Sequence, residues 1–314
     1  GERGIAVADV VVTHGAENAV AAFMRSGAAS PDEIAAITGR VLGSAFAVKR
    51  TEKCAYPGYS MVEMREKPPF DAVFAVAGSS KNRAATGDTH SFVRLGQNRF
   101  MAALCDGMGG AEGGQIASSL AVETFMKEIR ALLRADMTAG QLRELASFCV
   151  AKANTAVHRR ALQDPAYQGM GTTLVGAVAG ERDAVICNIG DSRAYLIHNG
   201  EMTRITHDHS VVQTLVENGD ITAEEARTHP NRNLITRALG PEEHIECDVY
   251  DVTLGADERL LLCSDGLVVT ATDEEMYEAV ARGEKPAESL EHLLELSKQR
   301  GAPDNVTAVL LYHE

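Results

Sequence analysis

Apolar and polar positions alternate from residue 70 onward in a way that predicts a series of β-strands. Strand-length apolar runs are found at 70–78, 90–95, 99–105, 172–180, 183–190, 193–198, 201–206, 245–253, 259–263 and 305–312. Two long stretches with helical spacing, 113–134 and 138–162, interrupt the series, and two short helices are expected before the last strand. Hairpin succession with an intervening helical pair predicts an α+β fold, in which two packed antiparallel sheets are flanked by helices in an αββα sandwich.

Residues 1–69 have a different pattern and are predicted to form a helical extension or linker of unknown role. Residues 14–26 and 30–50 have the composition of helices, and the second begins with Ser30 as N-cap and Pro31 at the first helical position. Proline and glycine then interrupt the pattern before residue 70. The sequence therefore divides into an extension, 1–69, and a main domain, 70–314.

Composition narrows the class of protein. The net charge of -14 and the lack of a basic stripe argue against a nucleic-acid partner. No apolar run approaches the ~20 residues of a membrane span. Six scattered cysteines without a CxxC pair favour reduced thiols in a cytoplasmic setting. The chain begins with Gly, so an anchor in a missing part stays open.

Acidic residues stand at the ends of several predicted strands. These are Asp88, Asp106, Asp191, Asp265 and Asp304. Each one alone is typical of turn chemistry, because Asp-Gly and Asp-Asn are common turn pairs. Together, at the rim of two packed sheets, they would repel one another unless cations lay among them. Oxygen ligands without His or Cys indicate Mg²⁺ or Mn²⁺, so the pattern predicts a two-metal site.

The glycines after Asp106 suggest a nucleotide-binding loop as the alternative, but their spacing does not fit. A GxGxxG pattern starting at Gly107 would need glycine where Glu112 stands, and a P-loop starting at Gly109 would need lysine where Gln115 stands. The glycines instead allow a tight turn in which the carbonyl of Gly107 faces an ion.

Ordered motifs over about 70–314 resemble those of the metal-dependent Ser/Thr protein phosphatases, the PPM group or protein phosphatase 2C. They are Arg83 with Asp88 five residues later, then DGMGG, GMGTTLV, GDSRAYL, THDHS, TRALG, CSDG and PDNVT. The resemblance implies hydrolysis of phosphoserine and phosphothreonine esters on proteins by a metal-activated water. It also implies phosphoprotein substrates, among them those of a Ser/Thr kinase.

The resemblance also implies roles for individual residues. Asp106 would bridge two ions, Mn²⁺ or Mg²⁺, one of which the Gly107 carbonyl would bind. Asp265 and Asp304 would complete the shell of the other ion. Asp88 would hold metal-bound waters, and Asp191 matches the position that serves a third, weaker ion in bacterial members. Arg83 would grip the substrate phosphate, to which its guanidinium presents a bidentate fork.

Two positions depart from the family pattern. Gly87 stands where the family usually has Glu, which leaves the affinity of one metal open. It also keeps two alternatives: a sporulation stage II E type phosphatase that acts on a small phosphoserine regulator, and an inactive phosphatase-like binding module. Met108 replaces a histidine of animal members, which favours a bacterial origin. His207 and His209 are spaced like a metal pair, but we interpret the segment that contains them, residues 206–233, as a mobile flap beside the site.

Overall fold

The structure is a computed structural model, and it divides the chain into two compact units, Gly1–Pro68 and Pro69–Glu314. It describes the following residues: 9–11, 19–25, 30, 46–53, 59–66, 71–77, 87–95, 99–134, 136–180, 182–198, 200–255, 257–282 and 286–312.

The described residues of the first unit include four strands that form one antiparallel sheet in the order β1-β2-β4-β3. The strands are β1 (Asp9–Val11), β2 (Ala19–Arg25), β3 (Phe46–Lys53) and β4 (Tyr59–Glu66). The helix predicted over 14–26 is therefore wrong at Ala19–Arg25. Residues 46–50 of the second predicted helix also lie in a strand, while 31–45 fall outside the described residues. Pairing of β2 with neighbours on both sides outweighs the helix propensity of its alanines and methionine.

The second unit contains two five-stranded antiparallel sheets among the residues that the structure describes. Their orders are β14-β11-β10-β7-β6 and β13-β12-β15-β16-β5, and a short ribbon pairs β8 with β9. The strands are β5 (Asp71–Ala77), β6 (Thr89–Leu95), β7 (Arg99–Cys105), β8 (Gly107–Met108), β9 (Gly171–Thr172), β10 (Leu174–Ala179), β11 (Asp183–Ile189), β12 (Arg193–His198), β13 (Glu201–Arg204), β14 (Asp248–Thr253), β15 (Arg259–Cys263) and β16 (Val306–Tyr312).

Helices cover the sheets and connect them. They are α1 (Ala111–Leu132), α2 (Ala139–Gln163), α3 (Val211–Glu217), α4 (Ala223–Thr228), α5 (Asp265–Thr270), α6 (Asp273–Arg282) and α7 (Pro286–Gln299). Helix α2 begins with a capping box, in which Thr138 and Gln141 satisfy each other's backbone N–H groups. Where two short helices were predicted before the last strand, the structure has three, and α3 and α4 interrupt a stretch that has no clear periodicity in the sequence.

The apolar residues form three clusters that define four layers. The middle cluster joins the two sheets through side chains such as Leu104 and Leu262. A second cluster packs α1 and α2 on the outer face of the first sheet, and a third packs α5 to α7 on the outer face of the second. Alternate residues of β7 belong to different clusters, as the period of a strand requires. The predicted αββα sandwich is confirmed.

Strand register brings the acidic strand ends to one edge. Thr89 pairs with Cys105, so Asp88 and Asp106 are neighbours at the end of the β6–β7 pair. In the other sheet Cys263 pairs with Arg193 on one side and with Ala308 on the other. The segments that carry Asp191, Asp265 and Asp304 therefore leave this sheet at a common end.

Candidate active site

The backbone of Asp106 is held from both sides by two buried threonines. Its N–H donates to Thr173 Oγ1 at 2.9 Å, and its carbonyl accepts from Thr173 N at 2.9 Å and from Thr172 Oγ1 at 2.8 Å. Thr173 Oγ1 also lies 2.7 Å from the hydroxyl of Ser192, the residue after Asp191. The peptide of Asp106 is thus fixed where β7 ends, while its side chain projects from a clamped backbone.

The turn after Asp106 leaves no room for side chains. A Cβ placed on Gly107 would lie 2.0 Å from the carbonyl oxygen of Gly114 in α1, which explains why glycine stands at both positions. Gly107 N donates to the carbonyl of Gly87 at 3.2 Å, and a Cβ on Gly87 would lie 3.0 Å from Gly107 O. Gly87 therefore lets two backbone segments approach each other closely.

Asp265 and Asp304 are brought together by a similar close approach. Asp265 follows β15 and Asp304 precedes β16, which are paired strands. A Cβ on Gly266 would lie 1.9 Å from the carbonyl oxygen of Asn305, so the two turns are in direct backbone contact. Asp304 Oδ1 accepts from Asn305 N at 2.8 Å, which orients its carboxylate.

Asp88 is buried and is bound to the opposite sheet. Its Oδ2 accepts from Thr307 Oγ1 at 2.7 Å, and the Ser264 side chain also lowers the pKa of this carboxyl group. Thr307 and Ser264 hold each other through two bonds of 3.0 Å, Thr307 N to Ser264 Oγ and Ser264 N to Thr307 O. This arrangement connects Asp88 to the turn that carries Asp265.

The acids of this edge raise one another's affinity for protons. Burial is the largest cause of the raised pKa of Asp106, and the charges of Asp88 and Asp265 add to it. Burial, followed by the charge of Asp304, raises the pKa of Asp265 to about 6. Burial also raises the pKa of Asp88, against hydrogen bonds that lower it. Asp88, Asp106 and Asp265 thus influence one another's titration, and carboxylates gathered in this way favour the uptake of a proton or a cation.

One carboxylate oxygen of Asp265 has no hydrogen-bond partner among the described residues. This oxygen is Oδ1, which is buried. A buried carboxylate oxygen without a partner is costly, and a cation or a proton would satisfy it. The potential metal ligands at this edge are carboxylate and carbonyl oxygens, which Mg²⁺ and Mn²⁺ prefer. The residues present therefore fit a hard divalent ion.

Asp191 lies at the same edge, next to an ion pair. Burial and the charges of Asp265 and Asp208 hold the pKa of Asp191 well above its usual value. Arg193 binds Asp208 through Nε and Nη2, with contacts of 3.0 and 2.6 Å, and Arg204 Nη1 lies 3.6 Å from the same carboxylate. This pair fixes the segment before the flap against the strand that begins after Asp191.

A second cluster of metal-binding residue types lies close by. Among the described residues, one group of three has its potential ligand atoms all within 4.8 Å of one another, and its members are His207, His209 and Asp248. Over the same part of the chain, the mutually repelling acids form no trio as tight. Proximity alone does not make this second cluster a metal site.

Hydrogen bonds of a neutral His209, together with the ion pair of Arg237 and Asp248, account for this cluster without a metal. Nδ1 of His209 accepts from Gly190 N at 3.1 Å, so the proton is on Nε2, which donates to Asp248 Oδ2 at 3.1 Å. A protonated nitrogen has no lone pair for a metal. Arg237 Nη1 lies 3.1 Å from Asp248 Oδ1 and already supplies a positive charge. Burial is the main cause that lowers the pKa of His209, which keeps the ring neutral.

The flap, defined here as residues 210–236, contains α3 and α4 and closes on itself at its ends. Ser210 bridges to Ile235, and Val211 N donates to Leu234 O at 2.8 Å. A cavity of about 470 Å³ lies between the flap and the acids, and its lining includes Asp191, Asp265 and several flap residues. The predicted flap position beside the site is therefore what the structure has.

The structure brings together most of the residues singled out in the sequence and adds others. Arg83 lies outside the described residues, so its predicted phosphate contact stays a prediction. Thr173, Ser192 and Thr307 had no predicted role. Their signals were present in the motifs GMGTTLV, GDSRAYL and PDNVT, but a hydroxyl in a buried strand does not reveal its partner in the sequence.

The sequence of this chain is similar to those of known protein phosphatases. The family model described as Protein phosphatase 2C matches residues 78–310. The serine/threonine protein phosphatase PstP of Mycobacterium tuberculosis is 43% identical over 209 residues, which are 66% of this chain and 39% of that protein. The chain thus spans less than half the length of this relative.

Solved structures show the same likeness. The serine/threonine phosphatase Stp1 from Staphylococcus aureus superposes with a TM-score of 0.73 at 32% identity, covering 78% of this chain and 95% of that one. The catalytic domain of PstP in complex with two manganese ions superposes with a TM-score of 0.66 at 35% identity, covering 77% of this chain and 97% of that one.

None of the described helices is long and apolar enough to cross a lipid bilayer.

Proposed function

We propose that this chain, which belongs to the protein phosphatase 2C family, hydrolyses phosphoserine and phosphothreonine esters on proteins with two divalent metal ions. The observation that carries the proposal is the gathering of Asp88, Asp106 and Asp265 at the ends of paired strands, where burial is the largest cause that raises the pKa of each. The PstP catalytic domain, with two manganese ions, supports the same chemistry in a similar fold.

The proposed metal ligands all offer oxygen. Asp106 and the Gly107 carbonyl would hold one ion, Asp265 and Asp304 would join Asp106 in holding the other, and Asp88 would act through water. By the family resemblance, Asp191 would serve a third ion. Mn²⁺ and Mg²⁺ both suit this donor set. When bound, the ions supply a water of lowered pKa and offset charge on the phosphoryl oxygens.

The chain's own residues then set the geometry for hydrolysis. The clamp of Thr172 and Thr173 keeps the Asp106 carboxylate at the end of its strand, where the substrate phosphorus must approach. Arg83 grips the phosphate through its guanidinium fork. Cys105 precedes Asp106 but is fully buried, and burial raises the pKa of its thiol far above the usual range. A thiolate nucleophile is thus not available there, which supports direct attack by water.

The domain assignment belongs to the same proposal. Residues 70–314 constitute the phosphatase domain, and residues 1–69 form a separate extension. The substrates are phosphoproteins, including products of a Ser/Thr kinase, in a cytoplasmic setting. The free state of Cys105, Cys149, Cys187, Cys247 and Cys263 supports a reducing compartment.

Phosphate release from a phosphothreonine peptide tests the activity. We expect release in the presence of Mn²⁺, none after EDTA treatment, and recovery when Mn²⁺ is added back. Asp106→Asn keeps the shape of the side chain but removes its charge, so its kcat should fall at least about 100-fold. Near-normal hydrolysis of p-nitrophenyl phosphate by Asp106→Asn would refute the assignment.

A second candidate function is a phosphatase-like module that binds phosphoproteins without hydrolysing them. It is favoured by Gly87, which removes one acid of the family's outer metal shell. The same assay separates the two functions, because a binding module would retain the phosphopeptide in equilibrium dialysis and release no phosphate at any Mn²⁺ concentration.

A further inference from the structure

His209 lies at the neck of the flap, where its backbone joins two segments. Its N–H donates to Gly190 O at 2.9 Å, and its carbonyl accepts from Thr236 N at 2.8 Å. The residue is 3% exposed. The first contact reaches the turn before Asp191, and the second closes the flap. His209 therefore touches both the acid edge and the loop that covers the cavity.

The side chain of His209 doubles the connection to the same turn. Nδ1 accepts from Gly190 N, so Gly190 is held through both its N–H and its carbonyl. Nε2–H donates to Asp248, which is itself bonded by Arg237 and by the hydroxyl of Tyr250 at 3.2 Å. Because both ring nitrogens have partners, the tautomer and orientation of the ring are fixed.

Gly190 passes this constraint to the candidate site. It directly precedes Asp191, and a Cβ placed on it would lie 2.5 Å from Cγ2 of Thr173. Thr173 in turn bonds the N–H of Asp106. The turn is therefore packed between His209 and the threonine that clamps the proposed bridging acid. A shift of this turn would displace Asp191 and press on the support of Asp106.

We propose that His209 is a positioning residue that holds the Gly190–Asp191 turn against the neck of the flap. Its Nδ1 acceptor is the part that matters for the site, and the contact of Nε2 with Asp248 serves to aim the ring. The consequence for metal binding rests on the proposed function, in which Asp191 serves a third and weaker ion. The contact between His209 and Gly190 can be tested independently of that role.

Two substitutions separate the two ring nitrogens. His209→Asn presents a carbonyl oxygen near the place of Nδ1 and does not reach Asp248. His209→Gln reaches Asp248 with its amide group and presents no acceptor to Gly190 N. Both replace the ring by an amide, so they share the loss of packing. His244→Gln serves as a control, because His244 is exposed and lies outside the site.

The first readout is the rate of hydrogen exchange of the Gly190 amide, which is monitored by NMR in the full chain. We expect exchange in His209→Gln to be about tenfold faster than in the wild type, because the acceptor is lost, and to stay within about twofold in His209→Asn. The second readout is Mn²⁺ binding followed by electron paramagnetic resonance. The dissociation constant of the weakest Mn²⁺ site should rise about fivefold to tenfold in His209→Gln and should not rise in His209→Asn.

Several results would overturn the proposal. Equal behaviour of the Asn and Gln variants would show that the acceptor at Nδ1 is unimportant, and unchanged Mn²⁺ binding in a His209→Gln protein with an exposed Gly190 amide would remove the link to the site. The ¹⁵N spectrum of the wild-type imidazole needs no variant to fold. It should show a bare Nδ1 and a protonated Nε2, and the opposite tautomer would contradict the assignment.

The outcome is distinguishable from failure of the proposed function. A wild-type chain that binds Mn²⁺ but releases no phosphate would reject the phosphatase activity, while the contrast between Asn and Gln would still decide the role of His209. A wild type that binds no Mn²⁺ would reject the metal site and leave the Gly190 exchange and the tautomer as the test.

Discussion

Thr307 Oγ1 donates a hydrogen bond of 2.7 Å to Oδ2 of Asp88, 219 positions away in the sequence. Thr307 belongs to β16 of one sheet, and Asp88 stands immediately before β6 of the other. The bond therefore joins the two sheets at the edge where the acids gather. It also stabilises the charged form of this carboxylate and so opposes burial, which raises its pKa.

Removal of this donor should weaken both the fold and the site. We expect Thr307→Val to lower the free energy of unfolding by about 1.5–3 kcal/mol, because a bond to a buried carboxylate is lost. The Mn²⁺ concentration for half-maximal activity should also rise. Urea unfolding and Mn²⁺ titration measure the two effects. Thr307→Ser keeps the hydroxyl and should lie close to the wild type, whereas equal losses in both variants would point to packing instead.

Close approach of two backbones at Gly266 predicts a sharp cost for a single methyl group. In Gly266→Ala the new Cβ would meet Asn305 O at 1.9 Å, so the turns that carry Asp265 and Asp304 must separate. We expect a loss of about 1–3 kcal/mol in stability together with a large loss of phosphatase activity. Gly140→Ala in α2, where the nearest atom is Thr138 Oγ1 at 4.0 Å, should be neutral or slightly stabilising. A wild-type activity in Gly266→Ala would contradict the close approach.

Protonation of the acids gives the metal-free protein a characteristic pH dependence. Folding raises the pKa of Asp265 from 3.8 to about 6, so in this interval the folded chain binds more protons than the unfolded chain. The resulting stabilisation is complete below 3.8 and is lost as pH rises through about 6. Mn²⁺ competes with these protons, and its stabilising effect should therefore be larger at about pH 7.5 than at about pH 5.

Melting temperatures of the EDTA-treated protein measure this effect. Surface acids such as Glu275, whose pKa is lowered to about 2 mainly by its hydrogen bond to Arg300, contribute the opposite slope at lower pH. Their contribution to the pH dependence cancels when the wild type is compared with Asp265→Asn, because both proteins contain these acids. Without metal, the melting temperature of the variant should fall less than that of the wild type as pH rises from about 4 to about 6.5, by a difference of about 2–4 °C. Identical profiles would contradict the raised pKa.

The clamp on Asp106 predicts a contrast at Thr173. Thr173→Val removes the hydroxyl that accepts from Asp106 N and leaves that N–H buried without a partner. We expect a loss of about 1–3 kcal/mol in unfolding free energy and a lower kcat. Thr173→Ser retains the hydroxyl and should lose less in both. A Val variant with wild-type kcat and stability would show that the clamp does not hold the acid in place.

Much of the main domain could be predicted because its signals are local. The alternation in β7, with Leu104 facing one cluster and Cys105 the other, is visible in the sequence, and Asp-Gly marks the ends of β7 and β15. The strand Ala19–Arg25 was missed because its composition favours a helix, and its pairing with β1 and β4 is information that the segment itself does not contain.

The acids were predictable as a set, but their supports were not. Asp106 and Asp265 have a recognisable context, whereas the partners of Thr307, Thr173 and His209 depend on how distant strands meet. His207 and His209 are the opposite case, in which the sequence suggests a site that the fold does not support, because their spacing is typical of a metal pair. The hydrogen bond from Gly190 to His209 excludes that ligand role, and it appears only once the chain is folded.

Direct counting of bound Mn²⁺ tests the central claim, that acids from separate strands jointly hold the catalytic ions. Metal-free wild type and Asp265→Asn are titrated with Mn²⁺, free and bound ion are separated by electron paramagnetic resonance, and phosphothreonine peptide hydrolysis is followed in the same samples. We predict at least two ions per wild-type chain, fewer in Asp265→Asn, and activity that appears with occupancy. Equal numbers and affinities in the two proteins, or hydrolysis by a chain without bound metal, would contradict the account.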